Sequence, residues 1–131
     1  MIIDSHALYW WLEDESRLSP KVVEVMEEAQ SDRRVIYVNP VTFCELRYKQ
    51  VQGKLETRIP VSEWPDLLGR FSFFVCVDLG PRDFLRAAEL EWDHRDPADR
   101  LIAVTAEKLG MPVLTVDREF HGAGCPVEAI W

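Results

Sequence analysis

The sequence predicts an α/β fold, a parallel sheet with helices on both faces. Two observations predict it. Short β-branched or apolar runs alternate along the chain with longer amphipathic segments. Those short runs are nearly continuous in apolar residues, as strands covered on both faces require. Strands separated by helices pair in parallel and place the helices on the two sides.

Met1-Ile2-Ile3 reads as a short buried strand ending at Asp4. Ser5 to about Asp14 follows as a helix, with Ala7, Leu8, Trp11 and Leu12 at helical spacing. Ser19-Pro20 is a helix entry, because Ser caps and Pro suits the first helical position. The segment after it sets Val22, Val23, Met26 and Ala29 on one side, away from Glu24, Glu27 and Glu28. Val35 to Val38 is a strand. Asn39-Pro40 repeats the cap-plus-proline entry, and its helix runs to about Gln52 and stops at Gly53. Pro60 and Pro65 break the stretch from Leu55 to Arg70 into a loop and a short helix.

Phe73 to Val77 is a strand ending at Asp78. Pro81 opens a helix through about Trp92, and Pro97 opens another through Leu109, closed by Gly110. Val113 to Val116 is a strand ending at Asp117, and Val127 to Trp131 is a last short strand. The order is β-α-α-β-α-(α)-β-α-α-β-α-β. There is no internal repeat, low-complexity segment or linker, so residues 1–131 are expected to form one domain.

Of the 131 residues, 47% are hydrophobic and 29% charged, an ordinary globular mix that argues against disorder. No apolar run approaches the roughly 20 residues of a membrane-spanning helix. The N-terminal stretch is interrupted by Asp4 and His6 and lacks a basic leader, which places the protein in the cytoplasm. Cys44, Cys76 and Cys125 are odd in number and show no CxxC pair; Cys44 and Cys76 read as small core residues and Cys125 as a loop residue. A net charge of −8 excludes binding of nucleic acid by bulk attraction.

The acids have a pattern. In an open parallel sheet, ligands bind beyond the carboxyl ends of the strands, where the strand order reverses. Asp4, Asp78 and Asp117 sit at such ends. Asp96 and Asp99 fall in the first turn of a helix that starts on the same edge. Glu45 lies in the second turn of the helix opened by Pro40, on a face with Val41 and Tyr48. Clustered carboxylates repel one another, and a divalent cation removes the conflict. Mg²⁺ and Mn²⁺ prefer carboxylate oxygens and can polarise a phosphodiester, generate a hydroxide and stabilise the leaving oxygen. A net-acidic protein can hold a polyanion in this way, aided by a few local Arg or Lys side chains.

Three stretches carry a resemblance: MIIDSHALYWWLED, NPVTFCELRYKQVQGKL and HRDPADRLIAVTAEKLGMPVLTVDREF. In order and spacing they are similar to the acidic segments of PIN-domain proteins, in particular VapC-type toxin ribonucleases. The most specific signal is Asp-Pro-x-Asp-Arg-Leu-Ile-Ala followed by an apolar strand ending in Thr-x-Asp. The resemblance implies a three-layer α/β/α fold with a short, mostly parallel central sheet, and Mg²⁺- or Mn²⁺-dependent cleavage of RNA. It implies Asp4, Glu45 and Asp99 as metal ligands, Asp117 as ligand or supporting acid, and Ser5 and Thr115 as hydroxyls that orient a carboxylate or water. It also implies a small antitoxin partner and a homodimer.

Each residue has a plainer reading. Asp96 and Asp99 resemble a capping pair. Asp4 could cap a helix, Asp117 could make an Asx-turn, and Glu45 could be a surface acid. Asp78 reads as a turn or cap. His6, His94 and His121 share no metal-ligand spacing, and Trp10 and Trp11 read as packing residues. Arg95, Arg100 and Arg118 could contact RNA phosphate or neutralise nearby acids, and Arg47, Lys49 and Lys54 form a second basic track. Two rivals compete. A phosphoacceptor domain would need a second acid after the first strand and a lysine after the last long one, and neither is present. A catalytically idle binding module would have no reason to keep four mutually repelling carboxylates.

Overall fold

The computed structural model describes residues 1–31 and 34–131. Among the described residues, five strands form one sheet: β1 (Ile2–Ile3), β2 (Ile36–Val38), β3 (Phe74–Cys76), β4 (Val113–Leu114) and β5 (Ala129–Ile130). The α-helices of the described residues connect them: α1 (Ser5–Glu13), α2 (Pro20–Gln30), α3 (Pro40–Val51), α4 (Trp64–Leu68), α5 (Pro81–Glu89) and α6 (Pro97–Leu109). The strand order is β3-β2-β1-β4-β5, and every pairing is parallel.

Strand alternation creates the layers. Side chains of successive strand residues point to opposite faces. Ile3, Ile36, Val38, Phe74 and Leu114 share one buried cluster with Leu8, Val22, Met26 and Trp64, from α1, α2 and α4. Ile2 and Val113 join the other cluster, with Ala87 of α5 and Leu101, Ile102 and Val104 of α6. Strands of two residues thus serve two cores. Trp11 lies in the first core, its ring 5.1 Å from that of Phe74 and edge-on to it.

The helix entries follow the sequence signals. Asp4, Ser19, Asn39 and Asp96 accept from the backbone N–H of Ala7, Val22, Val41 and Ala98 at 2.7, 3.2, 2.9 and 2.8 Å. Asn39 has a second task. Its buried Nδ2 donates to Leu101 O at 3.0 Å and to Thr105 Oγ1 at 2.8 Å, tying the start of α3 to α6. Gly110 ends α6 at φ +61°, a conformation that a side chain would strain.

Several expectations need correction. The strands are shorter than the apolar runs: Val35, Val77, Val116 and Val127 lie outside them. α5 ends at Glu89 rather than near Trp92. The helix expected between the last two strands does not form. Residues 118–125 make a string of turns instead, with Gly122, Gly124 and Pro126 denying helical continuity. Cys44 and Cys76 are exposed rather than core. Thr42 and Leu46 are the buried side of α3 next to Cys44, and Cys76 ends an edge strand. No helix among the described residues is long and apolar enough to cross a membrane.

Candidate active site

The strand order reverses at β1. Successive crossovers lead outward to β2 and β3 on one side, then to β4 and β5 on the other. The carboxyl ends of β1 and β4 therefore border the crevice where such folds bind ligands. Asp4 directly follows β1 and is only 2% exposed. Its Oδ1 accepts from Ala7 N, and its Oδ2 accepts from the Thr115 hydroxyl. Burial raises its pKa to about 6 despite those two donors, and the Glu45 and Asp117 carboxylates push the same way.

Glu45 reaches this edge from α3. The buried Ser5 hydroxyl donates to Glu45 Oε2 at 2.6 Å, and Lys49, one turn later, pairs with Oε1 at 2.5 Å. Asp99 comes from the first turn of α6. His94 Nε2 donates to Asp99 Oδ2 at 2.6 Å, while His94 Nδ1 lies 3.8 Å from Glu119 Oε2. Burial raises Asp99 to about 6 as well; the His94 bond opposes the rise, and the Asp96 and Asp117 charges add to it. Asp96 itself is the side-chain cap of α6.

Asp117 lies three residues beyond β4. Its backbone N donates to Thr115 Oγ1 at 3.0 Å, and its Oδ1 accepts from Glu119 N at 2.9 Å, an Asx-turn. Thr115, fully buried, thus holds Asp4 with its proton and Asp117 with its lone pair. Asp117 also raises the pKa of both Asp4 and Asp99, so the acids occupy one electrostatic neighbourhood. Asp78 is exposed and contributes to neither shift.

The donor set is hard oxygen, the chemistry that suits Mg²⁺ or Mn²⁺. Among the described residues, no three His, Cys, Asp or Glu side chains stand close enough to form a ready-made ion cage. Mg²⁺ does not demand one, because it usually keeps several waters and takes one or two carboxylates. Two acids with raised pKa values, sharing Asp117 as a negative neighbour, fit such an ion.

The three arginines part company. Arg95 and Arg118 are exposed. Arg100 donates to Ala87, Leu90, Trp92 and His94 carbonyls at 2.6 to 2.8 Å, and more weakly to Ala88 at 3.4 Å. It satisfies carbonyls left open by the end of α5 and fixes the loop that follows.

A model of the PIN domain family matches residues 1–124. The chain belongs to the PIN domain family. Its sequence is 31% identical to Ribonuclease VapC22 of Mycobacterium tuberculosis over 122 residues, spanning 92% of this chain and 89% of that relative. Solved structures share the fold at lower identity. VapBC2 from Rickettsia felis, bound to a DNA fragment from their promoter, superposes with a TM-score of 0.67 at 14% identity, covering 98% of this chain and 96% of the other. DNA-bound VapBC from Salmonella typhimurium gives 0.65 at 18% identity, with the same coverage.

Two partners of the acids in this PIN domain escaped the sequence reading. His94 has no metal-ligand spacing, yet it is bonded to Asp99. The signal was its position five residues before that acid, in a loop that Arg100 folds back. Lys49 was assigned to a basic track with Arg47 and Lys54, but it pairs with Glu45. The four-residue spacing of a helical Glu–Lys pair could have shown it.

Proposed function

We propose that this PIN domain is a metal-dependent endoribonuclease, acting as one domain over residues 1–131 in the cytoplasm. It serves as the toxin of a toxin–antitoxin pair, as a homodimer restrained by a small antitoxin. The observation that carries the reading is the pair Asp4 and Asp99. They come from distant parts of the chain, both have pKa values pushed up to about 6, and both feel Asp117. Support for the activity comes from the relative named a ribonuclease, and for the partner from neighbours that are VapBC assemblies on DNA.

Asp4, Glu45 and Asp99 would hold Mg²⁺ or Mn²⁺, with Asp117 as a further ligand or a supporting charge. When bound, the ion supplies Lewis-acid polarisation of the phosphodiester and makes water more acidic. The chain does the rest. Thr115 fixes the orientation of Asp4, Ser5 and Lys49 fix Glu45, and His94 fixes Asp99. Arg95 and Arg118 supply exposed positive charge for RNA phosphates. Asp96 keeps α6 capped and adds negative potential at Asp99.

The test is cleavage of an RNA pool by purified protein with Mg²⁺ or Mn²⁺. Asp4→Asn and Asp99→Asn should each slow cleavage by at least about 100-fold, since metal polarisation stabilises the transition state by several kcal/mol. A variant of either residue that cleaves like the parent would falsify the assignment.

A further inference from the structure

A cleft of about 590 Å³ opens beside the acidic site, walled by Trp92, His94, Glu91, Asp93, Glu119 and Gly122. It shares two walls with that site. His94 is bonded to Asp99, and the Glu119 backbone is bonded to Asp117. The cleft is also held in shape. The loop after α5 has no regular structure, yet Arg100 ties down the carbonyls of Leu90, Trp92 and His94. The Trp92 ring packs against His94 at 4.8 Å and against Phe120, itself buried, at 5.1 Å.

The chemistry of the walls narrows the occupant. Three carboxylates repel a phosphate, so the backbone of a nucleic acid does not sit there. An aromatic wall accepts the flat face of a base, the usual way in which unpaired RNA is held. Carboxylates can only accept hydrogen bonds. Guanine presents two adjacent N–H donors on its pairing edge. Uracil offers one donor between two carbonyls, while adenine and cytosine offer one amino group beside an acceptor nitrogen. We propose that this cleft is a nucleobase subsite that selects guanine in the nucleotide next to the cleaved phosphodiester. The inference rests on the ribonuclease reading for its place in the reaction, and on the cleft alone for base recognition.

Two arms separate those dependences. In the first, the parent chain without added metal is titrated with neutral nucleosides, and the Trp92 indole N–H is followed by NMR, assigned by its loss in Trp92→Phe. Guanosine should bind about tenfold more tightly than uridine, with inosine between them because it lacks the amino group. Of Glu91→Gln, Asp93→Asn and Glu119→Gln, at least one should erase that preference. Equal response to guanosine and uridine, a preference that survives all three substitutions, or a shift seen only with an arginine-rich peptide overturns the proposal. In the second arm, cut sites in an RNA pool are mapped. Guanine should be enriched beside the cut by the parent and not by Trp92→Ala. Cleavage without that enrichment sinks the subsite and leaves the nuclease standing. Guanosine binding without any cleavage keeps the subsite and sinks the nuclease.

Discussion

The two halves of the acidic edge are built differently. Asp4 follows a central strand and Glu45 stands on a twelve-residue helix, and three of their partners sit on regular helices: Ala7 of α1 for Asp4, and Ser5 of α1 and Lys49 of α3 for Glu45. Asp99 and Asp117 lean on irregular backbone, the loop after α5 and the turns after β4. The first half is carried by the sheet and by helices packed on its core. The second is held by individual side chains, above all Arg100. A site assembled this way combines one fixed wall with one that a few substitutions can reshape.

Arg100→Met tests that contrast most severely. The change keeps the apolar stem and removes donors to five carbonyls. Hydrogen bonds from a charged donor contribute roughly 1.5–3 kcal/mol each, but carbonyls near the surface regain water, so a loss of about 3 kcal/mol is expected. Thermal unfolding should show it, and hydrogen exchange should rise in residues 87–96 while β1 and α3 stay protected. Uniform loss of protection would mean that the two halves are one cooperative unit.

The second prediction separates the halves by charge. Both Asp4 and Asp99 have folded-state pKa values near 6, against about 4 in an unfolded chain. Below pH 4 both states are protonated and nothing is lost. Between 4 and 6 the unfolded chain releases a proton that the folded one keeps, so stability falls as pH rises, and above 6 the penalty is complete. Without divalent ions, Asp4→Asn should therefore stabilise the protein at pH 8 by roughly 2 kcal/mol and hardly at all at pH 4. Asp99→Asn should gain less, because its side chain is more accessible to water than that of Asp4. An Asp4→Asn melting curve lowered equally at both pH values would contradict the burial argument.

The helix entries were legible in both halves. Asp4 at a strand end, Ser19-Pro20, Asn39-Pro40 and Asp96-Pro97 announce their roles locally, because caps and prolines act through their own backbone. Apart from the Lys49–Glu45 pair, one helical turn apart, what escaped depended on distant contacts. The loop that delivers His94 to Asp99 exists because Arg100 reaches back to it, and no periodicity encodes that. The exposure of Cys76 follows from β3 being an edge strand, a fact of sheet order rather than of composition. Strand lengths were overread because Val77 and Val116 continue the apolar pattern after the ladder ends.

The smallest predicted effect falls on Thr115, where the halves meet. Its hydroxyl donates to Asp4 and accepts from Asp117 N, at a position with no solvent exposure. Thr115→Val has nearly the same shape, so packing is preserved and both bonds are lost. Asp4 then loses one of the donors that hold its pKa down, which should move its titration upward. A carboxylate less well oriented and less readily ionised should bind Mg²⁺ or Mn²⁺ about tenfold more weakly, the lower end of the loss seen when a ligand's hydrogen-bond partner is removed. Thr115→Ser keeps the hydroxyl and should restore most of the affinity by calorimetry. If Ser and Val behave alike, the halves are joined by packing rather than by this bond, and the fixed wall does not orient the pliable one.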